Sequence, residues 1–101
     1  MTDQSRRVHE RFERELEVTI LHDGREITGR TINISLGGLF MSADEPLPFG
    51  AQAKVRLPLP SLKEEAVVDV TIRWVTKEGI GVQFGSLRAL EVWALNQLFK
   101  S

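Results

Sequence analysis

Two arginines near the start of the chain, Arg7 and Arg11, stand in an Arg-x-x-x-Arg spacing, and Arg6 directly precedes them. On a helix or in a tight bend the two guanidinium groups would face the same way. Each could then bind a phosphate or the O6/N7 edge of a guanine through two hydrogen bonds. The segment also places Glu10 four residues after Arg6, as on a solvated, ion-paired helix. Taken alone, it therefore fits either an anion site or an ordinary charged surface.

A second set of candidate residues consists of Asn33 and Ser35, followed by the paired glycines Gly37 and Gly38. The alternation of a strand would put the two polar side chains on one face. Paired glycines let the backbone approach another group closely or take a positive φ, and they leave main-chain N–H groups accessible. Such a turn could hold a small anionic or heterocyclic ligand. A tight hairpin that binds nothing fits the same residues.

The elements that must position these groups alternate with a period of two, which is typical of half-buried strands. Ile27 is out of phase with Ile32 and Ile34, and we expect a β-bulge at Gly29 to correct the phase. Five or six short antiparallel strands separated by turns predict a small barrel or sandwich. The positions predicted to face the core are Leu16, Val18, Ile20, Ile32, Ile34, Ala53, Val55, Leu57, Leu59, Val68, Val70, Ile72 and Trp74.

A closing helix is predicted over 87–100, with Ser86 as its N-cap, because the segment contains neither proline nor glycine. Either both of its apolar stripes pack on the sheet, or the second stripe, with Trp93 beside it, contacts a partner subunit or target protein. The first stripe is Leu87, Leu90, Ala94 and Leu98, and the second is Val92, Leu95 and Phe99.

Composition bounds the classes of function. The chain has 101 residues, a formal net charge of −1 and no cysteine, which favours one globular domain without disulfides or thiolate chemistry. The polar N-terminus predicts no secretion signal, and no apolar run could span a bilayer. The two histidines, His9 and His22, supply neither a catalytic triad with Ser35 nor a metal site. A single-stranded nucleic-acid barrel would need a basic, aromatic groove, which the sequence does not show.

Both polar motifs together, in this order in an all-β chain, resemble the PilZ family, the bacterial receptor domain for cyclic di-GMP. The resemblance covers the whole chain and includes the Gly-Leu-Phe-Met strand, the Gly-Ile-Gly-Val-Gln-Phe strand and the C-terminal helix. It implies a six-stranded antiparallel split barrel. In this interpretation residues 1–14 form a flexible arm with the Arg-x-x-x-Arg motif, and residues 15–101 form the barrel and helix.

The resemblance also implies a ligand site for cyclic di-GMP. Arginines matching Arg7 and Arg11 contact phosphates and guanine edges in the family, and residues matching Asn33 and Ser35 contact a guanine. Aspartate is the commoner residue at the position of Asn33, and an amide lacks the charge-assisted part of that hydrogen bond, about a factor of two in strength. Arg6 resembles members that hold two nucleotides, so one or two molecules per chain are expected. The implied ligand-binding residues are Arg6, Arg7, Arg11, Asn33, Ser35, Gly37 and Gly38.

The expected function is a cytoplasmic, stand-alone receptor without catalysis, metal or cofactor, which changes conformation on binding cyclic di-GMP and signals to an unknown effector protein. No binding to nucleic acid or membrane is expected. The alternative is an adaptor of the same fold with little nucleotide affinity, which acts through its C-terminal helix. The same helix could also join two copies of the chain in a homodimer.

Overall fold

The period-two stretches form six antiparallel strands in a closed barrel, in the order β1-β2-β3-β6-β5-β4, with one helix at the C-terminal end. A computed structural model describes residues 10–43, 45 and 47–100. The predicted six-stranded barrel with a closing helix is therefore confirmed, and a sandwich is not. The elements are β1 Glu17–His22, β2 Arg25–Ile34, β3 Gly38–Met41, β4 Gln52–Leu57, β5 Ala66–Val75, β6 Ile80–Phe84 and α1 Ala89–Lys100.

The core fills the inside of the barrel, and every strand contributes the side chains of one face to it. Alternation puts branched aliphatic side chains inside and polar side chains outside, so that burial of apolar surface supplies most of the stabilisation. In β5, for example, Val68, Val70 and Ile72 are buried while Val67 and Asp69 are exposed. The largest fully buried side chains are Ile20, Ile34, Leu39, Met41, Leu57, Ile72, Ile80 and Leu95.

The predicted bulge at Gly29 is wrong. Gly29 pairs with Val18 in an unbroken β1–β2 register. The shift instead lies between Thr31 and Asn33, in the pairing of β2 with β3. Its consequence is that Thr31 and Ile34 are both buried, whereas Ile32, predicted to face the core, is 45% exposed. The extra residue resets the phase of the strand at this point.

A second bulge corrects the predicted position of Trp74. The β5–β6 register shifts between Ile72 and Trp74, so that Trp74 lies opposite Gly81. Ile72 remains fully buried, but Trp74 is 54% exposed on the outside of the barrel. The regular alternation of buried side chains in β5 therefore ends at Ile72 and does not continue to Trp74.

Helix α1 begins at Ala89, and Arg88 rather than Ser86 precedes it as the N-cap. The buried carboxylate of Glu91 accepts hydrogen bonds from the Arg88 main-chain N–H at 2.9 Å and from its guanidinium at 2.8 Å. This contact is the reciprocal half of a capping box. The same hydrogen bond and the carboxylate charge raise the pKa of Arg88.

The buried face of α1 takes residues from both predicted stripes: Ala94, Leu95 and Leu98 are buried. The second stripe is therefore not a separate outward face, since Leu95 belongs to the core and Phe99 packs against it. The large apolar side chains that α1 exposes are Leu90 and Trp93. Of the residues that the structure describes, none belongs to a helix long and apolar enough to cross a membrane.

Candidate functional site

The base of the predicted arm is paired with the end of β2. Phe12 and Ile34 exchange two main-chain hydrogen bonds, N to O at 2.8 Å and 2.9 Å. This bridge sets Arg11 beside Asn33, and the Arg11 Nη1 donates to the Asn33 Oδ1 at 2.6 Å. The structure thus brings together one residue from each of the two predicted motifs. Arg6 and Arg7 lie outside the described residues.

Asn33 begins a row of outward-facing positions that crosses four strands. It pairs with Phe40 on β3, Phe40 pairs with Gly81 on β6, and Gly81 pairs with Trp74 on β5. Because paired residues lie on the same face of a sheet, this row forms a continuous strip on the outside of the barrel. A pocket of about 170 Å³ opens along it, lined by Arg11, Asn33, Leu39, Phe40, Trp74 and Gly81.

Gly81 leaves the space that the Trp74 ring occupies. A Cβ atom on Gly81 would lie 2.7 Å from the Cε3 of Trp74 and 3.3 Å from the Phe40 ring. Any side chain here would therefore push the indole away from the β6 backbone. The glycine lets two aromatic side chains and the Asn33 amide share one shallow pocket, with the guanidinium of Arg11 at its edge. This combination offers stacking surface, a hydrogen-bond acceptor and a positive charge.

Ser35 and the two glycines build the turn that leads from β2 into β3. Ser35 is 3% exposed, and its main-chain N–H donates to the Gly38 carbonyl at 2.8 Å. Its hydroxyl accepts from the Gly37 N–H at 3.0 Å. A Cβ on Gly38 would lie 2.1 Å from the Val82 carbonyl oxygen, so this glycine allows β3 and β6 to approach. The structure does not bring these three residues into the lining of the pocket beside Asn33.

The two glycines also differ from the expected turn conformation. Among the described glycines, positive φ values occur at Gly24 and Gly50. Gly37 and Gly38 are therefore not among the glycines with a positive φ. Of the two roles that the sequence suggests for the paired glycines, the structure shows the close approach of the backbone, at Gly38. Asp23 and Gly24, with φ values of 53° and 79°, form the predicted turn between β1 and β2.

A larger open cleft, about 580 Å³, lies beside the β1–β2 turn, but its chemistry is that of a solvated surface. Its lining includes Lys54 and Asp69, which pair with each other at 2.7 Å, and His22, whose Nδ1 is 3.3 Å from the Gln52 carbonyl oxygen. Across residues 10–43, 45 and 47–100, no group of histidines and carboxylates could hold a metal ion. The smaller pocket is the better candidate for a ligand site because it combines aromatic surface with an amide and a guanidinium group.

Comparison with known proteins identifies the fold family. Residues 5–100 match the model of the PilZ domain. The chain belongs to the PilZ family. PilZ domains are receptor domains for cyclic di-GMP and are not enzymes, which confirms the prediction that this chain has no catalytic activity. No curated protein matches the sequence.

Two solved structures support the PilZ fold. The Bacillus subtilis inhibitor of motility, MotI/DgrA, superposes with a TM-score of 0.77 at 23% identity over 94% of this chain. This chain spans about half of that protein, 49% of its length. The PilZ domain of CeSA from a cellulose-synthesizing bacterium gives a TM-score of 0.70 at 17% identity, covering 90% of this chain and 95% of that one. At such identities both likenesses show the fold alone.

The sequence did not indicate that Phe40 and Trp74 line a pocket. Trp74 continues a regular apolar alternation, which predicts a position in the core. The signal that could have corrected this is Gly81, since a glycine inside a strand commonly marks the close approach of a bulky neighbour. A tryptophan on the preceding strand was available as that neighbour.

Proposed function

We propose that this PilZ domain binds cyclic di-GMP over the pocket formed by Arg11, Asn33, Phe40, Trp74 and Gly81. One guanine stacks against Trp74 and donates an N–H to the Asn33 amide oxygen. Arg11 binds a phosphate or the O6/N7 edge of a guanine. The observation that carries this proposal is the 2.6 Å contact between Arg11 and Asn33 at the edge of an aromatic pocket.

The volume of the pocket is consistent with a partial site. At about 170 Å³ it is smaller than the ~300–1,000 Å³ of pockets that enclose a whole drug-sized ligand. It fits one base, while the rest of the ligand lies over the open surface of the barrel. Arg6 and Arg7, from the segment before the described residues, are proposed to cover that part and to neutralise its phosphates. The number of bound nucleotides, one or two, depends on how much of the open barrel surface Arg6 and Arg7 cover.

Ser35 and Gly37 remain proposed ligand neighbours through the turn that they build. The Ser35 hydroxyl and the Gly37 N–H already bond each other at 3.0 Å, so their part is to hold Asn33 and the start of β3 in place. Gly38 contributes by allowing β3 to lie close to β6, which brings Phe40 and Gly81 into one row.

The contact of Arg11 with Asn33 provides a switch on binding. When a phosphate is present, the guanidinium exchanges a neutral amide oxygen for an anionic group, with which it forms an ion pair and can make two parallel hydrogen bonds. The arm then orders over the ligand and changes the surface offered to a partner protein. A cytoplasmic receptor that signals through such a change, without chemistry of its own, is the proposed role.

Calorimetric titration with cyclic di-GMP tests the proposal. Arg7→Ala and Arg11→Ala should each weaken binding at least tenfold, which is about 1.4 kcal/mol, because each removes a charge-assisted phosphate or guanine contact. Arg25→Ala is the matched control, since this exposed arginine pairs with Glu45 at the β1–β2 turn and should bind like the wild type. Wild-type affinity in both arm variants, or no binding by the wild type, would contradict the proposal.

The alternative function, an adaptor with little nucleotide affinity, is favoured by the exposure of Leu90 and Trp93 on α1. Apolar side chains on one helix face are common at protein interfaces. The same titration separates the two candidates, because the adaptor would give no heat with cyclic di-GMP. Its oligomeric state, measured by light scattering, would then show whether α1 pairs with a second copy.

A further inference from the structure

The base of the arm is attached to the last turn of α1 by an aromatic stack. The rings of Phe12 and Phe99 lie 4.2 Å apart between centroids, with an angle of 10° between their planes. The neighbouring Arg14 adds a second attachment, because its guanidinium donates to the Phe99 carbonyl at 3.0 Å and to the Leu98 carbonyl at 3.4 Å. A cation at the C-terminal carbonyls of a helix is favoured by the helix dipole.

The same short segment touches the candidate site on its other side. Phe12 is the residue whose two main-chain hydrogen bonds to Ile34 form the bridge between arm and β2. Arg11 and Asn33 are the immediate neighbours of these two residues in sequence, and their side chains meet at 2.6 Å. The position of Phe12 therefore determines where Arg11 leaves the barrel surface. Phe99 holds the ring of Phe12, and the main chain of Phe12 holds Arg11 beside the pocket.

Given the proposed nucleotide site, we propose that Phe99 is a positioning residue for ligand binding. Phe99 is not one of the residues that line the pocket, and it stacks on Phe12, whose ring it fixes. With the ring fixed, Arg11 starts from a geometry near the one it uses on the ligand, and less conformational entropy is lost on binding. Without the ring, the bridge at Phe12 opens more readily and Arg11 must be ordered by the ligand itself.

A consequence is that α1 and the ligand site are coupled in both directions. A partner that binds the end of α1 and displaces Phe99 would lower the affinity for the nucleotide. By linkage, the bound nucleotide would lower the affinity for that partner by the same factor. The binding of the proposed effector would therefore respond to the bound ligand through the last turn of the helix.

Substitutions at Phe99 test the proposal, with the dissociation constant for cyclic di-GMP measured by calorimetry. Phe99→Ala should weaken binding about three- to tenfold, the range that corresponds to loss of one aromatic pair. Phe99→Tyr keeps the ring and should stay within about twofold of the wild type. Trp93→Ala, an exposed aromatic on the same helix, is the matched control and should bind like the wild type.

Two further measurements separate positioning from general stability. Amide hydrogen exchange in the ligand-free protein should speed up at Phe12 and Ile34 in Phe99→Ala, while the amides of β4 and β5 keep their protection. The double variant Phe12→Ala/Phe99→Ala should bind no more than about twofold more weakly than Phe12→Ala, because Phe12→Ala already removes the stack on Phe99. Phe12→Ala also provides the test from the arm side if Phe99→Ala does not fold.

The outcomes distinguish this inference from the proposed function. Wild-type affinity in Phe99→Ala with unchanged exchange at Phe12 overturns the positioning role and leaves the nucleotide site intact. Additive effects in the double variant overturn it as well. If the wild type binds no cyclic di-GMP, the proposed function fails first, and the role of Phe99 in binding falls with it.

Discussion

The two sides of the barrel differ in the regularity of their strand pairing. On one side, β1–β2, β1–β4 and β4–β5 pair without a shift in register, and this is called the regular side below. On the other, β2–β3 and β5–β6 each contain a bulge and flank the β3–β6 pair, and this is called the bulged side. The outer surface of the regular side carries ion pairs such as Lys54–Asp69. The outer surface of the bulged side carries Asn33, Phe40 and Trp74.

The bulges explain why the pocket lies on the bulged side. Continued alternation from Thr31 would turn Asn33 towards the core, and continued alternation from Ile72 would do the same to Trp74. In each strand one extra residue resets the phase, so that both side chains face outward at the two ends of one row. A regular barrel of this sequence would bury the groups that the proposed function needs. Irregular pairing is therefore what creates the candidate site.

Two glycines, one on each side, are needed for different reasons. On the bulged side, Gly38 is needed because a Cβ would meet the Val82 carbonyl oxygen at 2.1 Å. On the regular side, Gly24 has open space around it but a φ of +79°. The first glycine lets two strands approach, and the second lets the chain turn. The two requirements should differ in free energy, because a backbone clash cannot be relieved by moving a side chain.

Of these two substitutions, Gly38→Ala should have the larger effect on stability. Separating β3 from β6 should cost about 3 kcal/mol of unfolding free energy, the upper end of what overpacking costs. Gly24→Ala should cost only about 1 kcal/mol, because a left-handed backbone is strained for alanine but nothing must move. Urea denaturation of the two variants measures both values. A Gly24→Ala variant less stable than Gly38→Ala would contradict the contrast between the two sides.

The sequence was sufficient for the burial pattern of the regular side, although the bulge it predicted there at Gly29 was wrong, and it was only partly sufficient for the bulged side. The alternation of Val18 with Ile20 and of Val55 with Leu57 predicts their burial correctly, because the register of these strands on the regular side is unbroken. At Ile32 and Trp74 the same rule fails, since both are apolar and both continue an apparent alternation. Their exposure depends on the register with a neighbouring strand, which is a property of the paired strands and is not local to either one.

The candidate site shows the same limit. The residue types of Arg11 and Asn33 predict a ligand site, and the structure brings the two side chains into contact. The sequence could not reveal that Phe12 stacks on Phe99, because the two residues lie near opposite ends of the chain and neither belongs to a motif. It also could not reveal that Ser35 is buried within its own turn. Long-range packing decides both.

Trp74→Ala should have the next largest effect, this time on binding. Loss of one base–aromatic stack should weaken affinity for cyclic di-GMP by about 1–3 kcal/mol, at least about fivefold. Because Trp74 is 54% exposed, the loss of folding stability should be smaller than for a core aromatic. Calorimetry measures the first quantity and thermal unfolding the second. Trp93→Ala, which removes an indole that is 48% exposed on α1, is the control and should leave the affinity unchanged.

Trp93→Ala is a matched control for Trp74→Ala because the two tryptophans have similar exposure and differ in their surroundings. Trp74 lies against Gly81 in the row that Asn33 begins, whereas Trp93 lies on the outer face of α1. Equal losses of affinity in the two variants would mean that exposed aromatic area, and not the bulged side, supplies the binding surface.

The smallest effect is expected on the regular side, from Lys54→Met. This substitution removes the 2.7 Å ion pair with Asp69 but keeps the aliphatic part of the side chain on the barrel surface. Both partners are mostly exposed, and such pairs contribute less than about 1 kcal/mol. Urea denaturation should therefore show a change of about 0.5 kcal/mol or less. Titration with cyclic di-GMP should show the wild-type affinity, since the pair lies beside the larger open cleft and away from the pocket. A clear loss of affinity in this variant would place the ligand in that cleft and break the assignment of binding to the bulged side.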